Sequence, residues 1–266
     1  MAESLRSIVR NSFKEKLASG GVASTISIRL FRGVEIAQIA KSCGFDALRI
    51  DMQHSPLSLE SISQICVAAL AAGIAPIVRV PGFGPEYVSR VLDGGAMGVG
   101  APGVTSAEDV RRVVKYCKFP PLGERSTGGG LPQLQYRSFP QDETFEVLND
   151  ATTVLITLET LEALESVEEI AAVEGLDVIM VGSNDLCAEL GIPGQHGHEL
   201  VRNAYARVIA ACRKHGKYAG VGGLSDRKLI AEYIGMGARV VSTGTELSLL
   251  MTAGTERARF VQSLKV

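Results

Sequence analysis

Phe45-Asp46-Ala47-Leu48-Arg49-Ile50-Asp51-Met52-Gln53-His54-Ser55-Pro56 is the stretch on which the reading of the fold turns. Phe45, Ala47, Leu48 and Ile50 are apolar enough for a buried strand, and Pro56 stops it. Within a few residues the chain passes to Asp51, Gln53 and His54. A buried strand has little reason to end in a carboxylate, an amide and an imidazole unless something binds there. In parallel α/β folds, ligands sit at the carboxyl ends of strands.

The same pattern recurs along the chain. Strands are predicted at Val22–Arg29, Ala47–Asp51, Ala75–Val80, Met97–Pro102, Thr153–Glu159, Asp177–Gly182, Tyr218–Gly223 and Arg239–Gly244. Between them, apolar residues at helical spacing mark Leu59–Ala72, Ala107–Tyr116, Ala163–Val173 and Val201–His215. Ser58, Ser106 and Ser225 stand where N-caps belong. Alternation of this kind predicts parallel strands joined by right-handed crossovers. Closed on itself, it is a (β/α)8 TIM barrel of the α/β class, a fold of about 250 residues. One domain then spans residues 1–266. An open doubly wound sheet is the competitor, but no Gly-x-Gly-x-x-Gly follows the first strand.

Three segments frame the barrel. Residues 1–20 read as an amphipathic N-terminal helix, and residues 245–264 as a C-terminal helix whose apolar face needs a partner. Residues 119–150, with four prolines and a Gly triplet, read as a long loop. Because this loop follows the fourth strand, it is expected to overhang the active face.

The 266 residues carry a net charge of -2 and are 46% hydrophobic. Such a balance offers no basic stripe for nucleic acid and no polybasic membrane patch. The sequence shows no apolar run of about 18 residues and no signal peptide. Five scattered cysteines without a Cys-x-x-Cys pair read as free thiols in a reducing compartment, so a cytoplasmic protein is expected.

The ends of the predicted strands carry the chemistry. They hold Arg29, Asp51 followed by His54, Arg79, Glu159, and the run Gly182-Ser183-Asn184-Asp185, while Asp93 lies in the turn before the fourth strand. Glu159 and Asp185, on adjacent strands, suit Mg²⁺ or Mn²⁺; the alternative is a pair of acids at helix N-termini. Arg79 is either half of a core ion pair with Asp51 or Asp93, or a fixed cation aimed at an enolate oxygen. His54 is the one histidine at a strand end, a candidate acid/base. His196-x-His198 is a weak zinc pattern without a third ligand, and His215 reads as a helix C-cap.

These residues also carry a family resemblance. In order, GFDALRIDMQHSP, PIVRVP, LDGGAMGVGAP, FPPLGERSTG, LITLET, VEGLDVIMVGSNDLCAELG and VVSTGTELSLL resemble the HpcH/HpaI aldolases over nearly the whole chain. These are class II pyruvate-dependent enzymes on a (β/α)8 barrel. The resemblance implies reversible cleavage of a 4-hydroxy-2-oxo acid to pyruvate and an aldehyde, with Mg²⁺, Mn²⁺ or Co²⁺. It implies Glu159 and Asp185 as metal ligands and Arg79 as the residue steadying the enolate. His54, with Asp51 and Asp93, becomes the acid/base relay. The backbone of Gly182, Ser183 and Asn184 would face the 2-oxo acid carboxylate; Arg29 and Gln53, which the resemblance does not assign, are further candidate substrate contacts at the strand ends. The resemblance also implies a hexamer, a trimer of dimers, with the C-terminal helix exchanged between barrels.

Departures qualify this. Gln53 stands where the family commonly has Glu, Thr157 where it has Gln, and Ser183 where it has Pro. Ser126 and Thr127 replace a small apolar pair. Arg29, Arg32 and Arg49 are unexpected. By strand alternation Arg49 points into the barrel with Asp51, as a buried ion pair or as an extra anion contact. Two other functions compete: an oxaloacetate decarboxylase or condensing enzyme on the same scaffold, and a non-catalytic ligand-binding barrel.

Overall fold

The eight apolar runs become eight strands whose boundaries fall within a residue of the sequence expectation. They are β1 (Ala23–Ile28), β2 (Ala47–Asp51), β3 (Ala75–Arg79), β4 (Gly98–Ala101), β5 (Thr153–Leu158), β6 (Val178–Gly182), β7 (Tyr218–Gly222) and β8 (Val240–Thr245). In the computed structural model, which describes residues 4–265, they close in sequence order into a barrel. Every neighbouring pair is parallel, including β1 with β8. Because the strands are covered on both sides, they are apolar almost throughout.

The helices are α1 (Leu5–Ile8), α2 (Ser12–Ala18), α3 (Glu35–Ser42), α4 (Leu59–Ala72), α5 (Pro85–Asp93), α6 (Ala107–Cys117) and α7 (Gln141–Ala151). They continue with α8 (Leu161–Glu165), α9 (Val167–Ala171), α10 (Ser183–Glu189), α11 (Glu199–Lys214), α12 (Arg227–Met236) and α13 (Glu246–Ser263). Ser58 caps α4 by accepting from the Ser61 amide, and Ser106 forms a capping box with Asp109. On α12 the cap is Asp226, not Ser225: its carboxylate accepts from both Lys228 and Leu229.

The expected N-terminal helix is broken. Of residues 1–20, the first three lie outside the described residues, and α1 and α2 are separated at Asn11, whose side chain caps α2. This break lets Phe13 and Leu17 turn into the barrel's amino-terminal mouth, against Ala23, Ala47, Ala75 and Ile77. Small residues at the strand starts make room for that aromatic plug.

Residues 119–150 also differ from expectation. They follow α6 rather than β4, so they lie at the amino-terminal end of the barrel, away from the strand-end face. They are not a bare loop: a 3-10 turn (Pro132–Leu134) and α7 pack with Leu5, Val9 and Met97 into a satellite core. The crossover helix α6 carries the chain back from the end of β4 before the prolines begin. At the other terminus α13 forms as expected, with Thr245 as its capping-box residue and no buried side chain.

Candidate active site

A cavity of about 350 Å³ opens at the carboxyl ends of the strands. Its walls include Arg29, Arg49, His54, Arg79, Thr157, Glu159 and the run Gly182 to Asp185. Residues far apart in sequence meet there because each ends a parallel strand or begins the turn after it.

Asp51 is the hub. Register places it opposite Arg79 on the neighbouring strand. One carboxylate oxygen accepts from Arg79 Nε at 3.0 Å and the other from Arg79 Nη2, a paired bond along the guanidinium edge. Arg29 Nε adds a third side-chain bond at 2.8 Å, and the amides of Gln53 and His54 donate at 3.0 and 3.1 Å. Burial alone would raise the Asp51 carboxyl, but its bonds to Arg79 and His54 and the charge of Arg29 bring it down to about 2. Asp51 is therefore a permanent anion that aims two arginines, rather than a proton carrier. The core ion pair and the functional cation, alternatives for Arg79 in the sequence, describe one arrangement. Arg29 is likewise paired rather than simply solvated. Its strand exit is pinned by Glu246, whose carboxylate accepts from the amides of Arg29, Leu30 and Phe31 at 2.7, 2.6 and 3.1 Å.

Glu159 and Asp185 face each other across the ends of β5 and β6. Burial and the neighbouring Asp185 push the Glu159 carboxyl above the usual range, against the opposing pull of Arg79 and the Gly103 amide. Neither acid has an ion-pair partner among the described residues. A side chain at Gly182 would stand 2.6 Å from the Glu159 side chain, so only glycine leaves that carboxylate its place. Two converging acids that repel each other and lack a cation fit a hard divalent ion, with further positions left for substrate and water. No third His, Cys, Asp or Glu joins them among the described residues.

A ring of contacts behind the cavity was not anticipated. Ser183 Oγ lies 2.8 Å from Tyr205 Oη, and Tyr205 stacks on Tyr233 with ring centroids 3.8 Å apart. Tyr233 Oη donates to the His196 carbonyl, and His196 Nε2 lies 2.9 Å from Asn184 Oδ1. Gly223, at a φ of 75°, stays out of the way: a side chain there would stand 2.9 Å from Asn184 Nδ2. The ring thus anchors the two residues that precede Asp185. The His-x-His pattern divides between different tasks, because His198 caps α11 through Nδ1 while His196 reaches Asn184. A polar histidine in a Gly-rich loop was the only available signal.

Three expected residues do not line the cavity: Asp51, Asp93 and Gln53, of which Asp51 lies behind Arg29 and Arg79. Asp93 ends α5, which runs back from the strand-end face, so it lies at the opposite end of the barrel, where Arg125 Nη2 donates to it at 2.7 Å. Gln53 is not among the wall residues, and its Oε1 is buried without a partner. His54 is in place at the rim, exposed.

Acids and a clamped guanidinium gathered at the strand ends of a closed parallel barrel are the working end of a (β/α)8-barrel enzyme. The chain belongs to the HpcH/HpaI aldolase/citrate lyase family, whose model matches residues 33–253. Membership makes it a carbon–carbon lyase. It is 40% identical over 260 residues to the 4-hydroxy-4-methyl-2-oxoglutarate aldolase of Hapsidospora irregularis, covering 96% of each chain. It is 30% identical over 251 residues to the 4-hydroxy-2-oxo-heptane-1,7-dioate aldolase of Salmonella typhimurium, covering 91% of each. The crystal structure of an HpcH/HpaI aldolase from Desulfitobacterium hafniense superposes with a TM-score of 0.92 at 29% identity, covering 96% of this chain and 98% of that one. No helix among the described residues is long and apolar enough to cross a membrane.

Proposed function

We propose that the protein is a class II aldolase that reversibly cleaves a 4-hydroxy-2-oxo acid to pyruvate and an aldehyde. The observation that carries this reading is the meeting of Glu159 and Asp185, without a cationic partner, beside a guanidinium held still by Asp51. Glu159 and Asp185 would hold Mg²⁺, Mn²⁺ or Co²⁺, which when bound supplies a Lewis acid for the 2-oxo and carboxylate oxygens. Arg79 offers a permanent positive charge where the enolate oxygen develops, and its orientation is set before reaction. His54 at the rim takes the 4-hydroxyl proton on cleavage and returns it on condensation. Gly182, Ser183, Asn184 and Arg29 line the same cavity and supply further substrate contacts.

We also read the chain as a homo-oligomer, the hexamer the resemblance implies. Leu250 and Phe260 on α13 are 70% and 64% exposed, an apolar face that a second copy would cover. Asp93 can serve His54 only across such a subunit boundary, given its place in its own chain.

Chelation tests the reading. EDTA should abolish pyruvate release from a 4-hydroxy-2-oxo acid and Mg²⁺ or Mn²⁺ should restore it; full turnover in chelator would sink it. Arg79→Ala should keep metal affinity and lose most of kcat.

A further inference from the structure

Glu246 opens α13, a place where the helix dipole alone would account for an acid. Its carboxylate bonds elsewhere. The start of α13 is capped by Thr245 and Ser248, each hydroxyl accepting from the other's amide. Gly244, at a φ of 131°, leaves that cap its room, because a side chain there would stand 2.9 Å from Ser248 Oγ. Glu246 Oε1 instead accepts from three consecutive amides in the turn after β1, those of Arg29, Leu30 and Phe31, 215 to 217 residues away. Its other oxygen, Oε2, is buried and has no hydrogen-bond partner among the described residues, so the group is turned inward and not toward solvent.

Apolar burial does not fix this turn, since Leu30 and Phe31 are 53% and 41% exposed. Three amides closing on one carboxylate oxygen form charge-assisted bonds, and they set the backbone from which the Arg29 side chain leaves. That side chain, 40% exposed, lies on the cavity wall and reaches Asp51 Oδ2 at 2.8 Å. An arginine so exposed has much rotamer freedom to lose on binding, and a fixed backbone removes part of that loss before substrate arrives.

We infer that Glu246 is a positioning residue for substrate binding: it holds the turn after β1 so that Arg29 stands ready on the cavity wall. The inference rests on the aldolase reading, with Arg29 as a substrate contact. Asp51 keeps both of its bonds to Arg79 when Arg29 is displaced, so the effect belongs to KM and not to kcat.

Kinetics of pyruvate release in Mg²⁺, read together with amide hydrogen exchange, test it. Glu246→Ala should raise KM about tenfold, with kcat within about twofold of wild type and Mg²⁺ affinity unchanged. Arg29→Met should match it, and the double variant should be no worse than either single one. Glu246→Gln, whose side-chain carbonyl can still accept from the three amides, should restore KM. Glu246→Ser should behave as Glu246→Ala and covers the case in which the alanine variant does not fold. The amides of Arg29, Leu30 and Phe31 should exchange slowly in wild-type protein and in Glu246→Gln, and fast in Glu246→Ala. An unchanged KM in Glu246→Ala overturns the inference, as does a rise that adds in full to that of Arg29→Met, or fast exchange of these amides in wild-type protein. Wild-type protein that protects the amides but releases no pyruvate overturns the aldolase reading and the inference with it.

Discussion

Two cations, at opposite ends of the barrel, show how differently those ends are built. At the amino-terminal end Lys118, 2% exposed, donates to the carbonyls of Asn149 and Thr152, both at 2.6 Å. Burial brings its ammonium down to about 8, and those bonds tie the 119–150 segment to the entry of β5. At the carboxyl-terminal end Arg49 is half-buried, and its buried Nε and Nη2 have no hydrogen-bond partner among the described residues. Asn11 repeats the first pattern, donating to Met97, Ala151 and Thr153. Glu159 repeats the second, held close to Asp185 with no cation between them. One end has its polar groups satisfied by the fold; the other holds them ready for something the fold does not contain. The first arrangement stabilises, and the second gives up stability for binding.

Substitutions at each end should therefore separate activity from stability. The largest effect belongs to Glu159→Gln, which should cost about a thousandfold or more in turnover, with metal binding lost in calorimetry. Removing a carboxylate held above its usual range should also raise the melting temperature of the metal-free protein. A lower melting temperature would contradict the repulsion between the two acids.

Next comes Asp51→Asn. It leaves the buried Arg79 guanidinium, and the part-exposed Arg29 beside it, without their anion and should destabilise by about 3–5 kcal/mol in denaturant titration, with activity lost as well. The pH dependence has a definite sign. The folded Asp51 carboxyl, at about 2, lies below its ordinary value of 3.8. Its stabilising contribution is complete above the ordinary value and is lost as pH falls through about 2. Melting curves from pH 5 downward should be steeper for wild-type protein than for Asp51→Asn, and parallel curves would remove Asp51 from its role as hub.

Asn11→Ala, at the other end, should cost about 2 kcal/mol, because three acceptors lose their donor and α2 loses its cap. Its kcat and KM at a permissive temperature should be unchanged; a changed kcat would mean that the ends are coupled.

The smallest effect is expected from His196→Ala, which frees Asn184 beside Asp185, the proposed metal ligand. Metal affinity should fall by a few-fold to about tenfold, the lower range for a supporting contact, with little change in melting temperature. Restoration by His196→Gln, which can still donate to Asn184 Oδ1, would separate positioning from bulk.

The sequence by itself determined the barrel. Strand-length apolar runs and the helical spacing between them are local properties, and parallel strands joined by right-handed crossovers leave few closures open. It also determined which side chains stand at strand ends, since a strand that leaves the core in Asp51, Arg79 or Glu159 places that group at the mouth wherever its neighbours lie. Tertiary structure alone decided which of these groups meet. The register of β2 with β3 joined Asp51 to Arg79 and made Asp51 a fixed anion. The return path of α5 carried Asp93 to the far end, and the crossover through α6 did the same for residues 119–150. Packing of α11 against α12 stacked Tyr205 on Tyr233 and brought His196 to Asn184. Pairings of this kind join residues tens to hundreds of positions apart, and their energies depend on distance and burial that no local pattern records. For the same reason Arg49, an unexpected arginine in the sequence, acquires its meaning only from the absence of a bonding partner in the folded barrel.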